Sequence, residues 1–195
     1  MESAPPNAPS DHLLRMLAAV PVSSSILDLG CGEGRHTEPL LRLGFPVHAC
    51  DPRDDAVAAT RDRVGELLEE GTAETTVQVT PLDAIEYPDE TFNWVVADRA
   101  EIYASTEEAL RTVLEESRRI LAPGGWLYLT LPTHPSEEDP DAIATNGSAF
   151  SIETLEKLRK EARLAEAREP SRIEGEEEPA RIRALYRRVD PQTPM

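Results

Sequence analysis

The residues of this 195-residue chain that could do chemistry centre on one short run, Asp28-Leu29-Gly30-Cys31-Gly32-Glu33-Gly34. It follows Ile26 and Leu27 and reads as a buried strand that ends in a glycine-rich turn and opens onto a helix. Glycines at 30, 32 and 34 let a ligand pass close to the chain, and such a turn is expected to expose main-chain N–H groups. A second acid, Asp51, closes the next strand-like run. A carboxylate has two acceptor oxygens and suits a vicinal diol. The two features together point to a nucleoside-bearing cofactor whose ribose is held by acid.

The elements that must position these groups can be traced along the chain. Apolar spacing and stop signals predict strands at 25–29, 46–50, 76–80, 92–97 and 126–131, separated by helices at 33–43, 53–70 and 106–121. Gly44 and Gly71 are natural helix stops, and Pro123-Gly124-Gly125 is a tight turn feeding the last of these strands. Ser10 caps a helix running to about Ala19, and Ser151 caps another reaching about Glu166. Two further strands, 167–174 and 180–189, are joined by a hairpin at Glu176-Glu177-Glu178-Pro179. Strands alternating with helices predict an α/β, doubly wound, mostly parallel sheet with right-handed crossovers. Residues 1–9 form an expected disordered tail, 10–190 a single domain and 191–195 a mobile tail, with an irregular acidic stretch at 136–147.

Composition narrows the partners. A formal charge of −17 repels nucleic-acid backbones and anionic membranes, so neither is expected as a partner. No apolar run approaches the ~18 residues of a membrane span, and the first residues lack the basic and apolar regions of a secretory leader. A cytoplasmic location is expected. Neither Cys31 nor Cys50 has metal-ligand spacing with a histidine, so no metal is expected, and a reducing compartment leaves two free thiols. Cys31 reads as a small buried filler rather than a nucleophile.

The glycine spacing departs from the dinucleotide fingerprint G-x-G-x-x-G, whose third glycine would fall at Arg35. Asp28 followed by Gly30, Gly32 and Gly34 resembles instead the first motif of class I S-adenosylmethionine-dependent methyltransferases. Phe45-Pro46-Val47-His48-Ala49-Cys50-Asp51-Pro52, Leu82-Asp83-Ala84, Phe92-Asn93-Trp94-Val95-Val96-Ala97-Asp98 and Arg119-Ile120-Leu121-Ala122-Pro123-Gly124-Gly125 resemble that family's later motifs, in family order. Leu43 to Val47 before Asp51 loosely resembles the tellurite-resistance and ubiquinone-biosynthesis types. The resemblance implies a seven-stranded sheet with helices on both faces and an antiparallel last strand. It implies S-adenosyl-L-methionine as cofactor and S-adenosyl-L-homocysteine as product. It also implies roles for single residues. Gly30, Cys31, Gly32 and Gly34 line the turn under the cofactor, Asp28 lies near its ammonium, and Asp51 accepts both ribose hydroxyls. Pro52 borders the adenine, Asp83 accepts from adenine N6, Ala84 donates its N–H to ring N1, and Asp98 faces the methionine end.

Acceptor-side residues are expected on loops at the carboxyl ends of the strands: His12, Arg99, Glu101, Tyr103, Thr133 and His134. His134 is the leading base candidate, since imidazole titrates near neutrality. Tyr103 reads either as a substrate contact or as an anchor of its own loop. Arg99 reads either as an attractor of anionic substrate or as a neutraliser of Asp98, and Asp98 itself as a cofactor contact or a structural ion-pair partner. Asp98-Arg99-Ala100-Glu101 is not the Asn/Asp-Pro-Pro-Tyr run of enzymes that methylate amino groups of adenine, cytosine and glutamine. The expected activity is methyl transfer to a small soluble molecule. A second reading is a non-catalytic S-adenosylmethionine-binding regulatory or interaction protein, and a third, disfavoured by Arg35, is a nicotinamide-dependent oxidoreductase.

Lysine occurs only at Lys157 and Lys160 among 20 basic residues, against 37 acids. This pattern fits a surface adapted to high salt, where screening removes self-repulsion. If so, the melting temperature rises from low to molar salt; a flat profile removes the adaptation.

Overall fold

The computed structural model describes residues 8–81, 85–133, 149–173 and 180–189. Its strands are β1 (Ile26–Leu29), β2 (Val47–Asp51), β3 (Val77–Val79), β4 (Phe92–Ala97), β5 (Leu121–Pro132), β6 (Leu164–Ile173) and β7 (Arg181–Arg188). They form a seven-stranded sheet in the order β3-β2-β1-β4-β5-β7-β6. β2 pairs in parallel with β1 and β3, and β4 with β5. β7 runs antiparallel to both β5 and β6. The expected mixed α/β sheet is therefore found, with the antiparallel last strand inserted between its two predecessors. The chain divides into two compact units, residues 1–81 and 82–195.

In the first unit, α1 (Asp11–Leu17) is capped by the Ser10 hydroxyl, which accepts from the Leu13 N–H, and buries Leu13 and Leu17. The Ser10 N–H in turn donates to His36 Nε2 at 3.1 Å. His36 therefore ties the amino-terminal helix to the glycine turn with an unprotonated ring nitrogen. The next helix, α2 (Thr37–Arg42), begins four residues later than the predicted Glu33. The reason is local: Gly34 has φ +77°, which a right-handed helix cannot contain. α3 (Asp54–Val64) carries Asp54 and Asp55 in its first turn, where the helix dipole favours them. It gives way at Gly65–Leu67 to a 3₁₀ turn rather than continuing to Glu70. A short α4 (Ala73–Thr76) precedes β3. Cys31, Ala49, Val57, Val64 and Val77 form a buried cluster with Leu41 and Leu68 against it.

In the second unit, β4 buries every side chain except Asn93, as a central strand should. α5 (Glu107–Ile120) is capped by Thr106 and buries Leu110, Val113, Leu114, Ser117 and Ile120 along one face. The predicted Pro123-Gly124-Gly125 turn lies inside β5: pairing jumps from Phe92↔Leu121 to Trp94↔Trp126. Gly124 takes φ +76° there, and a Cβ on Gly125 would come within 2.9 Å of the Ala122 carbonyl oxygen. The bulge is thus a glycine requirement of the strand itself. Past it, Trp94 and Trp126 stack 5.6 Å apart, with the Arg187 guanidinium 5.3 Å above Trp126. α6 (Ile152–Glu161) is capped by Ser151, as the sequence predicts. β6 starts earlier than expected and lies at the sheet edge, where Pro170 and two register shifts are tolerated. The tail residues 1–7 and 191–195, the 136–147 segment and the Glu176–Pro179 hairpin lie outside the described residues. Among the described residues no helix is long and apolar enough to cross a membrane.

Arg188, at the end of β7, closes the carboxyl end of α5. Its Nη1 donates to the Leu121 carbonyl at 2.6 Å and, at longer range, to those of Arg118 and Arg119, while Nη2 donates to Glu90 Oε1 at 2.6 Å. These are the carbonyls a helix end leaves without partners. Arg188→Leu is expected to lower unfolding free energy by about 2–3 kcal/mol in urea titration, because it strands buried acceptors; an unchanged midpoint would show that water replaces the guanidinium there.

Candidate functional site

The glycine turn of the first unit closes onto the end of β2. Gly30, Gly32 and Gly34 all have positive φ, and the intervening residues carry the chain between them. The N–H groups of Gly30 and Cys31 both donate to the Cys50 carbonyl, at 2.8 and 3.0 Å, and that of Gly34 to the Cys31 carbonyl at 3.0 Å. The Gly32 N–H donates to Asp51 Oδ2 at 3.0 Å. The expectation that this turn exposes a row of N–H donors is therefore corrected: these four are spent inside the protein. A turn with these four donors satisfied internally suits a nucleoside ligand lacking phosphates better than a dinucleotide, whose pyrophosphate needs main-chain N–H groups.

Gly34 has a packing reason as well. A Cβ there would sit 3.1–3.3 Å from Thr60 and the Arg63 stem. Thr60 is buried on α3 and donates its hydroxyl to the Gly32 carbonyl at 2.7 Å, so helix and turn are locked at close range.

Two buried carboxylates flank the turn. Asp28, in β1, is 2% exposed and accepts from the buried Thr37 hydroxyl at 2.6 Å. Asp51, 1% exposed at the end of β2, accepts from the Gly32 N–H, from the Arg53 N–H at 3.0 Å and from Arg53 Nε at 3.0 Å. That pairing holds the Arg53 guanidinium more firmly protonated than usual. Pro52 is exposed beside it. The structure thus brings Asp28, Gly30, Gly32, Gly34 and Asp51 together around one turn. The Cys31 side chain instead points into the buried cluster, which leaves only its main chain at the turn.

In the second unit, Asp98 follows the end of β4 and accepts from the Thr130 hydroxyl at 2.7 Å. The same Thr130 oxygen accepts from the Arg99 N–H at 2.8 Å. Arg99 is left-handed, φ +57°, a conformation that costs a non-glycine residue about 1 kcal/mol or more and tends to persist at functional positions. It turns the chain sharply into a 3₁₀ segment at Ala100–Ile102, with Tyr103 at its end. Glu101, a substrate-side candidate from sequence, is engaged with Arg181 at 2.7 Å, both largely buried. Thr133 is buried and its N–H donates to the Ala180 carbonyl at 2.7 Å. Asp83, Ala84 and His134 lie outside the described residues. Among the described residues no cluster of three or more His, Cys, Asp or Glu could hold a metal ion.

Sequence reasoning missed four residues: Thr37, Arg53, Thr60 and Thr130. Only Arg53 had a local signal, two positions past Asp51; the other three reach their partners across nine or more positions.

Burial pushes the Cys50 thiol up to about 12, with nearby Asp28 adding to it, and pushes Cys31 well above the ordinary thiol range for the same reasons. Only the thiolate is nucleophilic. Both cysteines should stay unreactive toward a disulfide reagent at pH 8 in the folded protein and become titratable on denaturation; rapid native labelling of Cys31 would reopen a chemical role for it.

Comparison with known proteins addresses the family and the fold. Residues 26–125 match the methyltransferase domain family. The chain is 34% identical over 133 residues to the human mitochondrial ubiquinone biosynthesis O-methyltransferase, a match covering 67% of this chain and 32% of that protein, so the chain spans about a third of that relative's length. Its fold resembles that of a S-adenosylmethionine-dependent methyltransferase from Methanosarcina mazei, with TM-score 0.71, 16% identity and coverage of 90% of this chain and 97% of that one. It is also similar to the N-methyltransferase NodS from Bradyrhizobium japonicum, with TM-score 0.69, 20% identity and coverage of 92% and 93%. With the glycine turn, the two buried acids and the strand order already in place, the conclusion follows that this chain belongs to the methyltransferase domain family, in its class I, S-adenosylmethionine-dependent form.

Proposed function

We propose that this chain transfers the methyl group of S-adenosylmethionine to a small soluble acceptor. The observation that carries the reading is the pairing of Asp51, buried at the end of β2, with a glycine turn in which the N–H groups of Gly30, Cys31, Gly32 and Gly34 are satisfied internally. That arrangement offers a carboxylate to a ribose diol and spends on the protein itself four N–H groups that a phosphate would use. When bound, the cofactor supplies a methyl already activated by its sulfonium.

The chain's own task is then to hold and aim. Asp51 grips the sugar, and Gly30 to Gly34 lie beneath the nucleoside without side chains to obstruct it. Asp28, kept oriented by Thr37, offers a negative charge to the ammonium of the methionine portion. Asp98, oriented by Thr130, is assigned to the same portion. Asp83 and Ala84 are assigned to adenine, Arg99 and Tyr103 to the acceptor, and His134 to accepting a proton where the nucleophile carries one. Alignment of nucleophile and methyl supplies most of the acceleration, since proximity alone is worth up to roughly 7–11 kcal/mol in intramolecular analogues.

The acceptor is read as a small molecule because the charge of −17 opposes polyanions. The 34% identity to an O-methyltransferase supports a hydroxyl among the candidate nucleophiles, which also include thiol, amine and chalcogen.

Asp51→Ala should weaken S-adenosylhomocysteine binding by about tenfold or more, the loss of two hydrogen bonds to a charged acceptor, while the far-ultraviolet circular dichroism is kept. Isothermal titration calorimetry showing unchanged affinity would overturn the ribose assignment.

A further inference from the structure

The Arg53 guanidinium occupies the acceptor positions that a sugar diol would need. A carboxylate offers about two acceptor positions on each oxygen. On Asp51, one position of each is taken by the main chain: the Arg53 N–H on Oδ1 at 3.0 Å and the Gly32 N–H on Oδ2 at 3.0 Å. Both donors belong to the fixed turn and strand end. The second position on Oδ1 is taken by Arg53 Nε at 3.0 Å, and that on Oδ2 by Arg53 Nη2 at a longer 3.5 Å. Nη2 also covers Gly32: a Cβ built on that glycine would lie 3.9 Å from it and meet no other atom within 4 Å.

The two partners differ in how tightly they are held. The Asp51 side chain is 2% exposed, whereas that of Arg53 is 49% exposed. A buried carboxylate is costly to leave without donors, while a half-solvated guanidinium on a flexible stem can move into water. Asp55, on the first turn of α3, already attracts the same guanidinium and offers it a second carboxylate.

We infer that Arg53 is an internal competitor for the ribose position, whose Nε and Nη2 satisfy Asp51 until the two sugar hydroxyls replace them, so that this residue sets cofactor affinity by opposing it. The inference rests on the ribose reading of Asp51. It makes the two neighbours act with opposite sign: removing the acid weakens binding, and removing the base strengthens it. The apparent dissociation constant is raised by the inverse of the fraction of time the fork spends away from the carboxylate.

The experiment is calorimetric titration of S-adenosylhomocysteine, and of its 2′,3′-dideoxy analogue, into the unaltered protein and the Arg53→Ala, Arg53→Met and Asp51→Asn variants. Both Arg53 variants are expected to bind S-adenosylhomocysteine about three- to tenfold more tightly, the range a half-exposed ion pair allows, and to show no such gain with the analogue that lacks the diol. Arg53→Met keeps most of the stem and guards against a packing defect in Arg53→Ala. Equal or weaker binding by both Arg53 variants, with Asp51→Asn still impaired, overturns the competition while leaving the ribose reading in place. A gain shared by the dideoxy analogue also overturns it, because the guanidinium would then obstruct by bulk or charge. Normal binding by Asp51→Asn removes the ribose reading and the inference together.

Discussion

The local geometry of the glycine turn centres on one contact, the hydrogen bond from the Gly32 N–H to the Asp51 carboxylate. It joins the turn after β1 to the end of β2, two strands already in parallel register from Ile26↔Val47 to Leu29↔Cys50. The Cys50 carbonyl adds two more bonds from the turn, to Gly30 and Cys31. With those bonds made, the chain must reverse within a few residues through positive φ at three glycines. Thr60 then reaches the Gly32 carbonyl from α3, and only an unsubstituted residue 34 lets that helix lie so close. These internal bonds hold the turn, and a turn so held can present a buried acid in a constant orientation.

The same logic applies to the second unit with different chemistry. There the carboxyl end of β4 is held by one threonine on the neighbouring strand. Thr130 donates to Asp98 and accepts from the Arg99 N–H, so the acid and the sharp turn after it share one support. The strain of a left-handed arginine is sustained by that bond and by the 3₁₀ segment that follows. Behind it, β5 absorbs a bulge at Gly124-Gly125, and Arg188 satisfies the end of α5. The residues proposed for the acceptor side thus lie on a short loop anchored by two part-buried hydrogen bonds.

Charge acts at two scales in this protein. A net charge of −17 sets a long-range field that salt screens and that repels polyanions. At short range, individual pairs matter more. Arg53 against Asp51 and Arg181 against Glu101 each neutralise an acid that the bare sequence presents as available. The second pairing withdraws Glu101 from the acceptor side, while the first leaves a half-solvated cation beside a buried anion, an arrangement open to exchange.

Much of this was legible in the residues alone. The alternation of strands and helices, the caps at Ser10 and Ser151, and the acids closing β2 and β4 follow from local periodicity and short-range chemistry, which sequence order preserves. The glycine spacing identified the turn but not the fate of its N–H groups, because their acceptors, the Cys50 carbonyl and Asp51, become neighbours only when β1 and β2 pair. Helix α2 began late because Gly34 spends its conformational freedom on the turn, and the Pro123-Gly124-Gly125 turn became a bulge because β4 continued alongside it. Thr37, Thr60 and Thr130 carry no local signature, since a hydroxyl becomes an orienting group only through the partner that folding brings to it. Local sequence thus determined which elements form and which acids are candidates; tertiary structure decided which of those acids are already occupied, since hydrogen bonding depends on distances that only the folded chain sets.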